Sequence, residues 1–122
     1  MIRTAFLVLP MLGACAMPPL APVHLACLER MEGHAESLKP AFAALGYRSE
    51  VHLRLDEYLA DGRGFAKSVS TLGDSSAGGS IRLRPSRLCS DAVLARAVVA
   101  HEMAHVALQH RGTPSEGIVV LW

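Results

Sequence analysis

Large rings are scarce in this chain of 122 residues: three Phe, two Tyr and one Trp make it 5% aromatic. A small domain built mainly from aliphatic side chains has a thin core and gains from a covalent cross-link. Long apolar spans are missing as well. The uncharged run at residues 5–12 is too short to cross a bilayer as a helix, so a transmembrane anchor is the weaker reading of the N-terminus. Neither sign of charge dominates, with 12 Lys and Arg against 11 Asp and Glu, and no basic run occurs. That balance argues against a nucleic-acid partner. No internal repeat is visible, and the length has room for one domain. Cysteine is limited to Cys15, Cys27 and Cys89.

Residues 1–14 have the form of a signal peptide, with Arg3 supplying the positive n-region and residues 5–12 a short h-region. Leu12-Gly13-Ala14-Cys15 resembles the lipobox of bacterial lipoproteins: an apolar residue, two small ones, then Cys. The resemblance implies cleavage before Cys15 and lipidation of its thiol and new N-terminus. That places the chain in the bacterial cell envelope, lipid-anchored to the membrane and facing the periplasm. Ala16 stands where an Asp would signal retention in the inner membrane, which favours the outer membrane. An ordinary cleavage site with an incidental Cys is the alternative.

Residues 15–23 then comprise the lipidated Cys and a tether with three prolines and no charge, semi-rigid by composition. Residues 24–122 form the folded domain. With Cys15 lipidated, Cys27 and Cys89 remain as an even pair in an oxidising compartment, which favours a disulfide over two buried thiols. Such a bond closes a loop of about 60 residues and is worth roughly 4 kcal/mol in the chain-entropy model.

Residues 24–45 read as an amphipathic helix. Leu25, Leu28, Met31, Ala35, Leu38, Phe42 and Leu45 recur at helical spacing, Gly46 supplies a stop, and Pro40 is expected to kink or divide the helix. Residues 48–55 alternate, with Val51, Leu53 and Leu55 on one side and Glu50, His52 and Arg54 on the other, as in a half-buried strand. A weaker strand is expected over 65–72, a turn over the Gly- and Ser-rich residues 73–79, and a short alternating strand over 80–84, closed by Pro85. Residues 91–111 read as a second helix, with Ser90 as N-cap, Asp91 complementing the dipole, and Gly112 with Pro114 as the stop. The expected class is α+β: an N-terminal helix, two or three short antiparallel strands, and a C-terminal helix.

That last helix carries His101-Glu102-Met103-Ala104-His105, an H-E-x-x-H motif. Positions i and i+4 share a face one turn apart. Two imidazoles so placed can bind one Zn²⁺, while the intervening Glu acts on water as general base. Composition alone predicts about 0.02 such matches by chance, although a motif still needs its structural context. Val98, Val99, Met103, Val106 and Ala107 give the two His apolar neighbours. A helix that merely presents two His and a Glu to a groove is the bland alternative.

Residues 81–83, Leu88-Cys89-Ser90-Asp91, residues 94–106 and His110 together resemble the core of gluzincin-type zinc metallopeptidases. The nearest type is the prenyl-protein protease-like group and its periplasmic relatives. The match spans residues 81–110 and leaves the first 80 unassigned. It implies a zincin-like domain with His101 and His105 as zinc ligands and Glu102 as the catalytic base, acting on a peptide or unfolded-protein substrate. It also implies that the strand over 80–84 lies beside the cleft, where it could pair with an extended substrate backbone.

In gluzincins a Glu on a second, downstream helix supplies the third ligand. His105 and Arg111 are six helical residues apart, about 9 Å at 1.5 Å per residue. A returning helix therefore comes level with the metal near residues 120–122, and Val120, Leu121 and Trp122 carry no ligand side chain. Glu116 is the third-ligand candidate, although Thr113-Pro114-Ser115-Glu116 reads as a capping box that gives it a local role. His110 lies about 140° round the helix from His105 and suits the C-terminal dipole better. His24, His34, His52 and Asp91 could reach the metal only through tertiary folding; the Trp122 carboxylate, water or a partner chain are further options. Leu108 and Arg111 stand where a metzincin pattern needs Gly and His, which excludes that pattern. Three readings emerge: a zinc metallopeptidase hydrolysing peptide bonds in the envelope, a non-catalytic envelope lipoprotein with a degenerate metal site that binds a partner, or a fragment of a longer peptidase.

Overall fold

In the computed structural model, which describes residues 21–110, the first element is helix α1 (Pro22–Ala44). Pro22 sits in the first turn, where its fixed φ suits the helix and its missing N–H has no intrahelical partner to lose. The helix runs on through Pro40 instead of dividing there, forgoing one backbone hydrogen bond. Gly46, at φ 76°, ends it. The Tyr47 N–H reaches the Phe42 carbonyl and the Gly46 N–H that of Ala43, each at 2.9 Å, the paired bonds of a Schellman cap. Cys27, Met31, Ala35 and Phe42 form the buried stripe. Leu25 and Leu45, expected in that stripe, lie outside it at 48% and 64% exposure.

Strands β1 (His52–Leu55), β2 (Gly73–Ser75) and β3 (Ser80–Leu83) form one sheet in the order β1-β3-β2. The class is α+β, as expected, but the sheet is mixed. β2 and β3 pair antiparallel, while β1 and β3 pair parallel. β2 itself runs back against the direction of β1, and the turn at residues 76–79 reverses the chain once more, so β3 starts at the same end as β1 and pairs with it in parallel. Leu53 and Leu55 stand in register with Ile81 and Leu83, and the last two are wholly buried beneath the helices. Arg54, Arg82 and Asp74 alternate onto the opposite face.

β2 falls in the stretch expected to be a turn, and no strand forms over residues 65–72. Phe65 and Val69, which a strand there would have buried, are exposed. Side chains hold this loop in place of a ladder. The Arg84 guanidinium, only 5% exposed, donates to the carbonyls of Thr71, Lys67 and Ser68. Asp61 Oδ1 accepts from the N–H groups of Arg63 and Phe65.

The chain then forms the short helix α2 (Pro85–Leu88), whose first turn is capped by the Glu57 carboxylate through the Ser86 N–H and hydroxyl. Helix α3 (Ala92–His110) comes next. α1 and α3 run side by side in the same direction. Cys27 and Cys89 are disulfide-bonded at one end, and Arg96 donates to the Ser37 hydroxyl at 2.7 Å further along. Both helices cover the inner face of the sheet, α1 over β1 and α3 over β2 and β3. The core between them is aliphatic and Met-rich, with Met31, Leu88, Val99, Met103 and Val106 among its most buried members. Among the described residues, no helix is long and apolar enough to cross a membrane.

The disulfide spans 62 residues of sequence, so replacing Cys27 and Cys89 together by Ala should lower the unfolding free energy by about 4 kcal/mol. Urea denaturation of the oxidised and substituted chains at one pH checks this. A difference within about 0.5 kcal/mol of zero would show that the link constrains nothing.

Candidate metal centre

α3 starts at Asp91, whose carboxylate accepts from the Leu94 N–H at 3.0 Å. Asp91 is therefore the N-cap in place of Ser90. From there the helix presents Ala95, Val99, Met103 and Val106 to the core, while Val93, Arg96 and Ala97 face outward. The H-E-x-x-H turn sits where these two faces meet.

The two imidazoles converge. His101 Nε2 and His105 Nε2 stand 3.1 Å apart, with ring centroids 4.7 Å apart and planes at 78°. Zinc–nitrogen bonds of about 2.0–2.1 Å in tetrahedral geometry put neighbouring ligand nitrogens about 3.3 Å apart, so this pair already spans close to one edge of a zinc tetrahedron. The same separation is that of an N–H···N hydrogen bond between a donor ring and an acceptor ring. His105 is buried and His101 half-buried.

Glu102 is 6% exposed and points toward β2. Burial pushes its carboxyl above the usual carboxylate range; the nearby Ser75 hydroxyl and the two imidazoles oppose this, and the Asp74 charge adds to it. Ser75 was not singled out by sequence, because Gly73-Asp74-Ser75 has no apolar residue to reveal a period of two. The Gly78-Gly79 pair was the usable signal, since a Gly-rich turn before residues 80–83 is what a hairpin needs.

β2 is an edge strand, as β1 is on the other side, and β3 lies at the centre of the sheet with both sides paired. The strand over residues 80–83 therefore cannot accept a substrate strand, which corrects the expectation that it would pair with substrate. Antiparallel alternation directs the Leu72 and Ser76 backbone groups to β3, through bonds of 2.9 Å to Arg84 and Ser80. It turns those of Gly73 and Ser75 to the open edge. A cleft of about 520 Å³ opens there, lined by Thr71, Leu72 and Gly73 on one side and Ala97, Val98, Ala100, His101 and Glu102 on the other.

His101, Glu102 and His105 are thus brought together, but among the described residues no group of three or more His, Cys, Asp or Glu could hold a metal ion. Asp91 is occupied as the cap of α3, His34 lies beside the disulfide, and His52 lies on β1, in a groove with Arg54, Asp74 and Arg82. Glu116, the ring of His110, Trp122 and the lipidation residue Cys15 fall outside the described residues. The described residues thus offer a zinc ion two imidazole nitrogens with one carboxylate between them in sequence. No family model, curated protein or solved structure matches the chain.

The outer face of β2 is tied down by charge. Asp74 pairs with Arg82 and, at 2.9 Å, with Lys67. Burial raises the Asp74 carboxyl, but the hydrogen bonds and charges of Arg82 and Lys67 outweigh it and hold the group below the usual aspartate range. Asp74 then contributes stability that is fully present above its unfolded value of about 3.9 and is lost as pH falls through its lowered folded value. Asp74→Asn should therefore be less stable than wild type at pH 6, with the gap closing below about pH 4. Urea midpoints across that range test this, and a gap that does not narrow in acid contradicts it.

Proposed function

We propose that the chain is a zinc-dependent metallopeptidase that hydrolyses peptide bonds of peptides or unfolded proteins in the bacterial cell envelope. The observation that carries this reading is the 3.1 Å convergence of His101 and His105 around a buried Glu102, at the mouth of a cleft with an open strand edge. Zinc, when bound, supplies a Lewis acid that makes water nucleophilic near neutral pH. Glu102 takes one proton from the water as its oxygen adds to the scissile carbonyl carbon. The carbon–nitrogen bond then breaks as that proton passes to the leaving amine. The Ser75 hydroxyl steadies the Glu102 carboxylate, and the Gly73 and Ser75 backbone groups align the substrate as an added strand.

One observation favours a second reading, an envelope lipoprotein that binds a partner or a metal without turnover: no third ligand stands beside the His pair among the described residues. Under the peptidase reading that ligand comes from residues 111–122, with Glu116 the candidate, from a continuation of the chain, from a partner, or from water.

Protein purified without chelators should carry one zinc per chain by elemental analysis. Glu102→Gln should keep the metal while hydrolysis of an unfolded protein falls by at least about a hundredfold. A wild-type chain without stoichiometric zinc would sink the peptidase reading; zinc without hydrolysis favours the second.

The lipid anchor is proposed from the lipobox resemblance at Cys15. Cys15→Ser should move the chain from the membrane pellet to the supernatant after cell lysis. Retention of that variant in the pellet would remove the anchor from the proposal.

A further inference from the structure

The start of α1, the ends of β1 and β3, the helix α2 and the loop after β1 gather at one pole of the domain. Cys89, directly after α2, is bonded to Cys27 near the start of α1. Glu57 caps α2 through Ser86, and Arg84 holds the carbonyls of Lys67, Ser68 and Thr71. Among the described residues, every exposed large apolar side chain except Leu45 belongs to this pole: Val23, Leu25, Tyr58, Phe65, Val69 and Val93. Leu45 lies at the far end of α1.

The loop that carries Tyr58, Phe65 and Val69 is tightly built. The Lys67 N–H donates to the Tyr58 carbonyl at 3.0 Å and the Asp61 N–H to that of Phe65 at 2.9 Å, so the loop doubles back on itself. Leu59 takes a φ of 48°, a conformation that bulky residues rarely adopt, and is wholly buried. The loop thus has an apolar anchor of its own, while the rings of Tyr58 and Phe65 stay in water at 67% exposure each. Its acids are engaged by the protein: Asp56 by Arg82, Glu57 by Ser86, and Asp61 by backbone N–H groups of its own turn. Arg63 reaches out over the Phe65 ring, 5.8 Å from its centroid. Apolar groups gathered in water on an ordered framework mark an interaction surface.

What meets this surface follows from the tether. Six residues lead from Cys15 to Ala21, directly ahead of α1, and an extended chain of that length spans at most about 20 Å. α1 alone, with 23 residues, is about 35 Å long. With Cys15 lipidated, the pole where α1 starts is held within about 20 Å of the bilayer, whereas the pole of Leu45 can lie far from it. The side chains suit that neighbour. Rings and aliphatic groups enter the boundary between headgroups and acyl chains, and a guanidinium beside them stays among the phosphates.

We propose that this pole docks on the bilayer surface, with Tyr58, Phe65 and Val69 entering the headgroup region. The inference rests on the proposed lipid anchor for its placement and is independent of the peptidase reading. Docking holds the cleft, whose wall begins at Thr71, in one orientation to the membrane instead of letting it swing on the tether.

The test uses the full lipidated chain in vesicles of phosphatidylethanolamine and phosphatidylglycerol, with Trp122→Phe removing the native indole. Phe65→Trp then reports on the loop. Ala77→Trp, in the exposed turn between β2 and β3, reports on the opposite pole. The indole of Phe65→Trp should shift to the blue and be quenched by brominated lipid; that of Ala77→Trp should do neither. The Cys15→Ser chain should still partition weakly onto the same vesicles, and Phe65→Asp with Val69→Asp should lower that partition by at least about tenfold. Residues 65, 69 and 77 are all exposed, so circular dichroism of each variant should match that of its parent.

No quenching at residue 65, equal quenching at residues 65 and 77, or an unchanged partition after the double substitution overturns the docking surface. So does a Cys15→Ser dimer that Phe65→Asp dissociates without any binding to vesicles, which assigns the pole to a second copy of the chain. A wild-type chain that carries no lipid yet partitions through residues 65 and 69 leaves docking standing and removes the anchor. A lipidated chain without quenching does the reverse.

Discussion

The candidate centre depends on how closely β2 lies against α3, and Gly73 sets that approach. A Cβ at this position would stand 2.9 Å from the Arg82 carbonyl oxygen and 3.3 Å from both Leu83 Cδ2 and Val98 Cγ1. The nearest of these is backbone in the central strand, so it cannot rotate away. With only a hydrogen there, the edge strand seats directly on the helix. Ser75, two residues on and on the same face, then reaches Glu102. The lining of the cleft, the orientation of the acid and the open edge beside His101 all result from this one contact.

A three-residue strand without an apolar side chain has little to hold it against a sheet. Here charge replaces the missing hydrophobic anchor. Arg82, opposite Asp74 in the ladder, binds both oxygens of that carboxylate through Nε and Nη2, and its remaining Nη1 reaches Asp56 and the Ala60 carbonyl. A bidentate arginine–carboxylate pair fixes orientation as well as distance, and both groups are partly sheltered from water. One guanidinium thus pins β2 and the start of the long loop to the central strand. Arg84, two residues on, uses its donors on the last part of that loop. The disulfide does comparable work at the other end, joining α1 to the turn before α3. The motif helix is therefore held on one side by a covalent bond and on the other by an ion-paired edge strand.

This division explains what could be read from the sequence. The α1 stop at Gly46, the strands at Leu53–Leu55 and Ile81–Leu83, the cysteine pair and the His101/Glu102/His105 face each announce themselves through periodicity, a special residue or an even count. β2 has none of these, because its identity lies in tertiary partners: a glycine against a valine on α3, an aspartate opposite an arginine on β3, a serine opposite a buried acid. The stretch of residues 65–72 misled in the opposite sense. Its Phe65 and Val69 suggest a strand, but the carbonyls there are satisfied by a buried guanidinium, and the side chains stay in water. The parallel pairing of β1 with β3 was hidden for a related reason. Alternation says which face a residue takes and nothing about the direction of its neighbour.

Glu102 weighs more in the choice between functional readings than the two His do. Two imidazoles 3.1 Å apart can be explained by mutual hydrogen bonding as well as by a metal, and either role suits a buried pair on one helix face. A carboxylate 6% exposed between them is different. Removing an acid from water is unfavourable unless its charge is well compensated. Here the compensation is partial, since burial still leaves the carboxyl above its usual range despite the Ser75 hydroxyl and both rings. A residue kept only for packing at that place would be more stable as an apolar side chain of similar volume. Glu102 instead lines an open cleft beside a strand edge that is unpaired among the described residues. Groups held at such a cost in a cleft are candidates for chemistry, which supports the hydrolytic proposal over binding alone.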